Sequence, residues 1–142
     1  MLKVVDIFKC ETVVKTPLPL YLTPVKAGFP SPADDYLDKK LDLNEFLIKH
    51  PTATFFVKVK GDSMIKAGIH SGDILVVDRS LEPKDKKIVV AVVNGEFTVK
   101  RAQKKASKLY LVSENDNYQP IEIKEDTDFE VWGVVIHVIH SV

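Results

Sequence analysis

From Thr54 onward, short apolar runs alternate with turn residues, a pattern typical of a β-rich domain. The runs that we predict to be strands are Phe55–Val57, Ile74–Val77, Ile88–Val93, Leu109–Val112 and Phe129–Ile139. The dipeptide Asn94-Gly95 follows one of these runs and predicts a tight hairpin, because both central residues of a type I′ turn need positive φ. Closely spaced strands favour a compact antiparallel or mixed β structure over alternating β-α units.

Before Thr54 the pattern is set by proline. Five of the eight prolines lie close together in this part of the chain: Pro17, Pro19, Pro24, Pro30 and Pro32. Because proline lacks the amide that helices and central strands use, we expect an extended arm here. Between Tyr36 and Ile48 apolar residues recur at helical spacing, which predicts one helix or two short ones. Asp42 followed by Glu45 resembles a capping box at a helix start.

Composition limits the function classes. The chain has 142 residues, enough for one domain, and its 20 Lys+Arg balance 20 Asp+Glu, so charge alone does not predict a nucleic-acid-binding surface. The single cysteine, Cys10, is expected to be an inert thiol, and its lack of a partner fits a reducing cytoplasm. Asp6 and Lys9 interrupt the early apolar stretch that a signal peptide needs, so we expect neither export nor a membrane anchor.

One candidate for chemistry lies in Gly61-Asp62-Ser63-Met64, directly after a predicted strand. A turn from a strand into a short helix can expose a hydroxyl at a cleft, with backbone amides beside it to stabilise an oxyanion. Ser63 is therefore a candidate nucleophile. Taken alone, the same residues also fit an ordinary turn.

A nucleophilic serine needs a base, and no histidine lies in a recognisable triad context. His50 precedes a proline, His70 lies in a predicted turn, and His137 and His140 belong to the last predicted strand. Their spacing of three places His137 and His140 on opposite faces of that strand, so we also predict no metal site.

Lysine can replace histidine as the base if burial keeps its amine neutral. Lys100 follows the Asn94-Gly95 hairpin on a strand rich in Phe and Val, where such burial is feasible. The alternative interpretation is a solvated strand lysine next to Arg101.

Three blocks of the chain, in order and spacing, resemble the LexA/UmuD family of self-cleaving serine peptidases. They are Gly61–Met64, Ser71–Asp78 and Asn94–Lys100. The similarity to the UmuD branch extends further, from Gly28–Pro32 through Asp42–Asn44 and His50-Pro51 to Gly133–Val138. It therefore covers most of the chain.

This resemblance implies a mainly β fold: a compact LexA/UmuD-like peptidase domain of antiparallel and mixed strands with short helices, preceded by an extended N-terminal arm. It implies that Ser63 is the nucleophile, that Lys100 is the general base, and that the backbone amides of Ser63 and Met64 stabilise the oxyanion. The bond implied to be cut is Ala27-Gly28, where UmuD proteins typically have Cys before the Gly.

Such a cut would divide the chain into two parts: residues 1–27 as a removable N-terminal arm and residues 28–142 as a β-rich peptidase and partner-binding body. Gly28 lets the backbone approach a nucleophile closely, and Ala27 is small enough for the pocket that takes Cys in UmuD proteins, although the same dipeptide also fits a flexible linker joint. The reach of an extended chain permits cleavage within one chain or between two.

The resemblance also implies partners: a homodimer, a RecA nucleoprotein filament that assists cleavage, and a UmuC-like polymerase subunit. DNA would be reached only indirectly, in error-prone translesion synthesis during the SOS response to DNA damage. We expect no cofactor. Three alternatives stay open: a non-enzymatic polymerase accessory of the same fold, a LexA-like repressor fragment, and a Ser-Lys signal peptidase. A signal peptidase needs a membrane anchor, which we do not expect here. A LexA-like repressor needs a DNA-binding helix-turn-helix, for which the arm has no room.

Overall fold

The computed structural model describes residues 2–10, 17–20 and 39–142, and every statement about the structure below concerns these residues. The strands are β1 (Lys3–Lys9), β2 (Pro17–Leu20), β3 (Lys39–Asp42), β4 (Thr54–Lys60), β5 (Ile74–Asp78), β6 (Ile88–Val93), β7 (Glu96–Lys105), β8 (Lys108–Val112), β9 (Ile121–Ile123) and β10 (Phe129–Ile139). The helices are α1 (Leu43–Leu47) and two short 3₁₀ helices, Pro51–Ala53 and Ile65–Ala67.

One antiparallel sheet of eight strands dominates the fold. Its strand order is β1-β4-β5-β10-β6-β7-β8-β9, and every neighbouring pair is antiparallel. β2 and β3 form a second sheet of two antiparallel strands. The last strand, β10, joins the two halves of the large sheet, because it pairs with β5 on one side and with β6 on the other. The mainly β fold that the sequence predicts is confirmed.

The hairpin that carries one of the candidate catalytic residues has the predicted turn. Asn94 and Gly95 connect β6 to β7 with φ values of 49° and 80°, the positive values that a type I′ turn requires. This tight turn sets the register of β7, in which Lys100 lies opposite Val89. The hairpin therefore decides which face of the sheet receives Lys100.

The apolar core surrounds the turn that contains Ser63. The first of two buried clusters consists of Leu2, Val57, Val59, Met64, Ile69, Leu75, Val77, Val90 and Val99. The second consists of Val89, Ala91, Ala102, Leu111 and Val134. Met64 directly follows Ser63 in the chain and is fully buried, so core packing fixes the position of the turn.

The helix predicted between Tyr36 and Ile48 is shorter than expected. Lys39–Asp42 is strand β3, and only Leu43–Leu47 is helical; Tyr36 lies outside the described residues. Pairing with β2 explains the difference, because it satisfies the β3 backbone in an extended conformation. Asp42 caps the helix as the capping-box pattern predicts, since its carboxylate accepts a hydrogen bond of 2.9 Å from the Asn44 amide; the reciprocal bond from Glu45 stays a prediction.

The arm contributes a strand to the large sheet that the sequence pattern did not predict. β1 pairs with β4 from Lys3 opposite Lys60 to Lys9 opposite Phe55. Leu2, just before β1, belongs to the buried core. Pairing with β1 satisfies the outer backbone groups of β4. This pairing explains why Lys3–Lys9 forms a strand although its sequence pattern is weak.

Among the helices in the described ranges, none combines the length and the apolar character that crossing a bilayer requires.

Candidate active site

Ser63 lies in the turn between β4 and the 3₁₀ helix Ile65–Ala67. Gly61 starts this turn with φ of 117°, a conformation that side chains disfavour. The Gly61 amide donates to the Ser71 hydroxyl (3.2 Å), and the Ile65 amide donates to the Asp62 carbonyl (3.2 Å). These contacts hold the turn in place, and Ser63 within it has no exposed surface.

Lys100 approaches Ser63 from β7. Its Nζ lies 3.4 Å from Ser63 Oγ, although the two residues are 37 positions apart in the chain. The Lys100 side chain is 2% exposed, which excludes the solvated strand lysine considered above. Burial lowers the pKa of Lys100 below its usual value of 10.5, because a charged amine loses its hydration there. The pocket thus favours the neutral amine, the form that can accept a proton.

A loop after β8 covers the pair from the solvent side. The Tyr118 hydroxyl donates to Asp62 Oδ1 (2.8 Å), and Lys100 Nζ lies 5.7 Å from the centre of the Tyr118 ring. The hydrogen bond to the carboxylate raises the pKa of Tyr118. The Asn115 side chain donates to the Asp62 carbonyl (2.9 Å). This loop therefore fixes the residue before Ser63 and places a ring over the lysine.

The two amides expected to stabilise an oxyanion belong to fully buried residues. Within residues 2–10, 17–20 and 39–142, the backbone amides of Ser63 and Met64 have no hydrogen-bond acceptor. The Met64 carbonyl, in contrast, accepts from Ala67 (3.0 Å) and Ile69 (3.3 Å). The turn is thus held through the Met64 carbonyl, and the assignment of the two amides to an oxyanion site stays a prediction.

Leu2 occupies the position next to the serine hydroxyl. Its backbone amide donates to Ser63 Oγ at 2.9 Å, across a separation of 61 residues, and its side chain is 1% exposed. This contact engages a lone pair of the oxygen that would attack a substrate. The predicted cut site, Ala27-Gly28, lies outside the described residues, in the connection between β2 and β3.

The four histidines lie elsewhere. His50 Nδ1 contacts Asp78 Oδ2 at 2.5 Å, and the His137 ring packs on Phe46 with centroids 5.3 Å apart. Hydrogen bonds from Ser80 and His50 lower the pKa of Asp78, although its burial opposes this shift. Within the described parts of the chain no histidine is bonded to Ser63, in agreement with the choice of a lysine as the candidate base.

Sequence reasoning missed Leu2, Asn115 and Tyr118 as parts of this site. Leu2 has no motif around it, and its role depends on the pairing of β1 with β4. Asn115 and Tyr118 belong to a polar loop, Glu114–Gln119, whose aromatic residue was the one available signal. Their contacts with the Ser63 turn depend on the pairing of β8 with β7, which positions the loop after β8.

With the geometry established, comparison with known proteins defines the class. The sequence model of the Peptidase S24-like family matches residues 19–136. This match includes both Ser63 and Lys100, and it spans most of the chain. The chain belongs to the Peptidase S24-like family.

Individual relatives make the assignment more specific. Protein SamA of Salmonella typhimurium is 45% identical over 128 residues, which cover 90% of this chain and 89% of SamA. Protein MucA of Escherichia coli is 43% identical over 135 residues, covering 94% and 92% of the two chains. A LexA repressor of Shewanella is 40% identical over 113 residues, which cover 80% of this chain and 54% of the repressor. The resemblance to the LexA/UmuD family is confirmed.

Proposed function

We propose that this chain is a UmuD-like serine peptidase that cuts its own Ala27-Gly28 bond with a Ser63-Lys100 dyad. The single observation that carries the proposal is the buried contact of 3.4 Å between Lys100 Nζ and Ser63 Oγ. A lysine at this distance can act as a base only if it is neutral, and its burial favours that state. Membership of a peptidase family supports the same chemistry.

In the proposed reaction, neutral Lys100 takes the proton of the Ser63 hydroxyl while Oγ attacks the carbonyl carbon of Ala27. The amides of Ser63 and Met64, which lack acceptors among the described residues, would then stabilise the oxyanion. The bond to the Gly28 nitrogen breaks as Lys100 returns the proton to it. Water then attacks the ester on Ser63 and releases the carboxyl group of the arm.

The contact with Leu2 gives this reaction a preceding step. The Leu2 amide is bonded to Ser63 Oγ, and we propose that Leu2 moves away before the carbonyl of Ala27 reaches the hydroxyl. We propose that residues 2–10 cover the nucleophile and that displacement of Leu2 limits the rate of cleavage. A helper such as a RecA filament would act by favouring the displaced conformation, not by supplying a catalytic group.

The biological role that we propose is that of UmuD: activation by removal of the arm of residues 1–27, followed by binding of the body, as a homodimer, to a UmuC-like polymerase subunit. The similarity to SamA and MucA over nearly the whole chain supports this role. The balanced charge agrees with a protein that reaches damaged DNA through its partners.

The decisive experiment is to incubate the purified full chain at neutral pH, at about pH 10, and at neutral pH with RecA filaments on single-stranded DNA. Mass spectrometry should detect a new N-terminus at Gly28, faster at high pH, because the neutral fraction of a lysine rises about tenfold per pH unit below its pKa. Ser63→Ala and Lys100→Ala should reduce the rate by at least about 10⁴-fold.

Failure of the wild-type chain to cleave under all three conditions would contradict the peptidase proposal and favour the non-enzymatic accessory. Cleavage at another bond, or cleavage that survives Ser63→Ala, would contradict the assigned residues. Mixing the Ser63→Ala chain with a chain blocked by Gly28→Pro separates the two routes. A fragment from this mixture indicates cleavage between chains, whereas its absence, with wild type active, indicates cleavage within one chain.

A further inference from the structure

A cluster of three potential metal ligands lies at the end of the sheet, outside the dyad. His70, Asp73 and His140 come together because β10 ends beside the start of β5, with Ile139 opposite Ile74. Asp73 directly precedes β5, and His140 directly follows β10. His70 belongs to the same turn as Asp73, whose amide donates to the His70 carbonyl (3.1 Å).

The carboxylate at the centre of the cluster is buried and directed at both histidines. The Asp73 side chain is 2% exposed, whereas the two histidines are half-exposed. His140 Nδ1 lies 2.5 Å from Asp73 Oδ1, and His70 Nδ1 lies 3.8 Å from Oδ2. The His70 amide also donates to Oδ2 (2.7 Å), which fixes the orientation of the carboxylate. Each carboxylate oxygen therefore faces a different imidazole.

The side chains of the cluster are of the types that bind a cation, one carboxylate and two imidazoles. The two imidazole rings are neighbours, with centroids 4.8 Å apart and ring planes tilted by 36°. An ionised carboxylate with two imidazoles is a donor set that first-row transition ions such as Zn²⁺ prefer over Mg²⁺ or Ca²⁺.

We propose that His70, Asp73 and His140 bind a divalent transition-metal ion, Zn²⁺ foremost, with solvent completing its coordination. One ligand atom from each residue lies within 4.8 Å of the others. Two ligand atoms about 2.0–2.1 Å from a tetrahedral zinc ion are about 3.3 Å apart. The ligand atoms that lie farthest apart, up to 4.8 Å, need to approach each other by about 1.5 Å to reach that geometry, a change that rotation of the two half-exposed imidazoles can supply.

The bound ion would connect the end of β10 to the turn behind the nucleophile. That turn is already tied to the Ser63 region, because the Ile69 amide donates to the Met64 carbonyl (3.3 Å) and the Gly72 amide donates to the Val59 carbonyl (2.8 Å). The ion therefore has a structural role in this proposal. It takes no part in the peptidase step, and the metal site does not depend on the proposed self-cleavage.

The test is titration of the full chain with ZnCl₂ by calorimetry in a chelator-free buffer, repeated with Co²⁺ to observe its visible absorption bands. The variants are His70→Gln and His140→Gln, and the matched control is His137→Gln, which changes the same residue type on β10, three positions before His140. In metal sites, removing a residue that only hydrogen-bonds to a ligand weakens metal binding about 10–100-fold, and removing a ligand itself should cost at least as much. We therefore expect each ligand variant to bind at least about tenfold more weakly, with the control unchanged.

Thermal unfolding supplies an independent readout. Zn²⁺ should raise the Tm of the wild type and of His137→Gln, and it should leave the Tm of the two ligand variants nearly unchanged. Absence of Zn²⁺ binding by the wild-type chain would overturn the proposal and leave a hydrogen-bonded His-Asp-His contact. Wild-type affinity in both His70→Gln and His140→Gln would overturn it as well, because the ion would then bind elsewhere.

Discussion

Replacement of Lys100 by methionine should stabilise the fold at neutral pH while it abolishes cleavage. Methionine has nearly the length and volume of lysine but no amine, so it can fill the same buried space beside Ser63. Wild-type Lys100 is 2% exposed, and its burial disfavours the charged form of the amine. Removal of the amine should therefore remove a cost to folding along with the proposed base.

The pH dependence of this cost follows from the lowered pKa of Lys100. Because the folded chain binds the proton less tightly than the unfolded chain, protonation at low pH favours unfolding. The cost is absent above the unfolded pKa of about 10.4, grows as the pH falls towards the lowered folded pKa, and is constant below it. Within that window the wild-type free energy of unfolding rises with pH by at most about 1.4 kcal/mol per pH unit.

The measurement is urea unfolding, followed by fluorescence of the single tryptophan, Trp132, at intervals between about pH 7 and pH 10.5. Both chains should carry Ser63→Ala so that neither is cleaved during the experiment. Every other titrating group is common to the two chains and cancels in the difference between their free energies of unfolding. The remaining pH dependence then belongs to Lys100.

We expect the methionine chain to be the more stable one near pH 7 and to lose this advantage steadily as the pH approaches 10.5. A difference that stays constant over the whole range would refute the reasoning, because it would mean that Lys100 has the same pKa in the folded and unfolded chains. The lysine would then be protonated at neutral pH and unable to act as the base.

Three further changes test single contacts. Tyr118→Ala should let water reach the Lys100 amine, raise the pKa of Lys100 and move the alkaline rise in cleavage rate to higher pH. Tyr118→Phe keeps the ring and should leave the pH profile as in the wild type. Equal pH profiles for the two variants would contradict this role of the ring. Leu2→Ala should speed cleavage by weakening the cover over Ser63, and a slower rate would contradict the gating step. Gly133→Ala should lower the free energy of unfolding, measured by urea titration, by about 1–3 kcal/mol, because the new Cβ would lie 2.5 Å from the buried Val77 side chain. An unchanged midpoint would contradict this and show that β10 can shift to make room for the methyl group.

Much of the fold could be predicted because its signals are local. The apolar runs that became β4, β5, β6, β8 and β10 are each readable within a few residues, and the Asn94-Gly95 turn dictates its own backbone conformation. The N-cap at Asp42 is local in the same sense. Where local preference competed with pairing, at Lys39–Asp42, the helical expectation was wrong, because pairing with β2 satisfied the backbone instead.

The sequence by itself determined which residues could perform the proposed chemistry, since the Ser63 turn and the Lys100 hairpin are short motifs with characteristic spacing. The tertiary structure alone decided that the two lie 3.4 Å apart in a buried pocket and that Leu2 bonds to the serine. It also decided that His140 meets Asp73, 67 positions away. These contacts depend on strand order and register, which join distant segments through the packing of the whole sheet, and no short stretch of sequence encodes them.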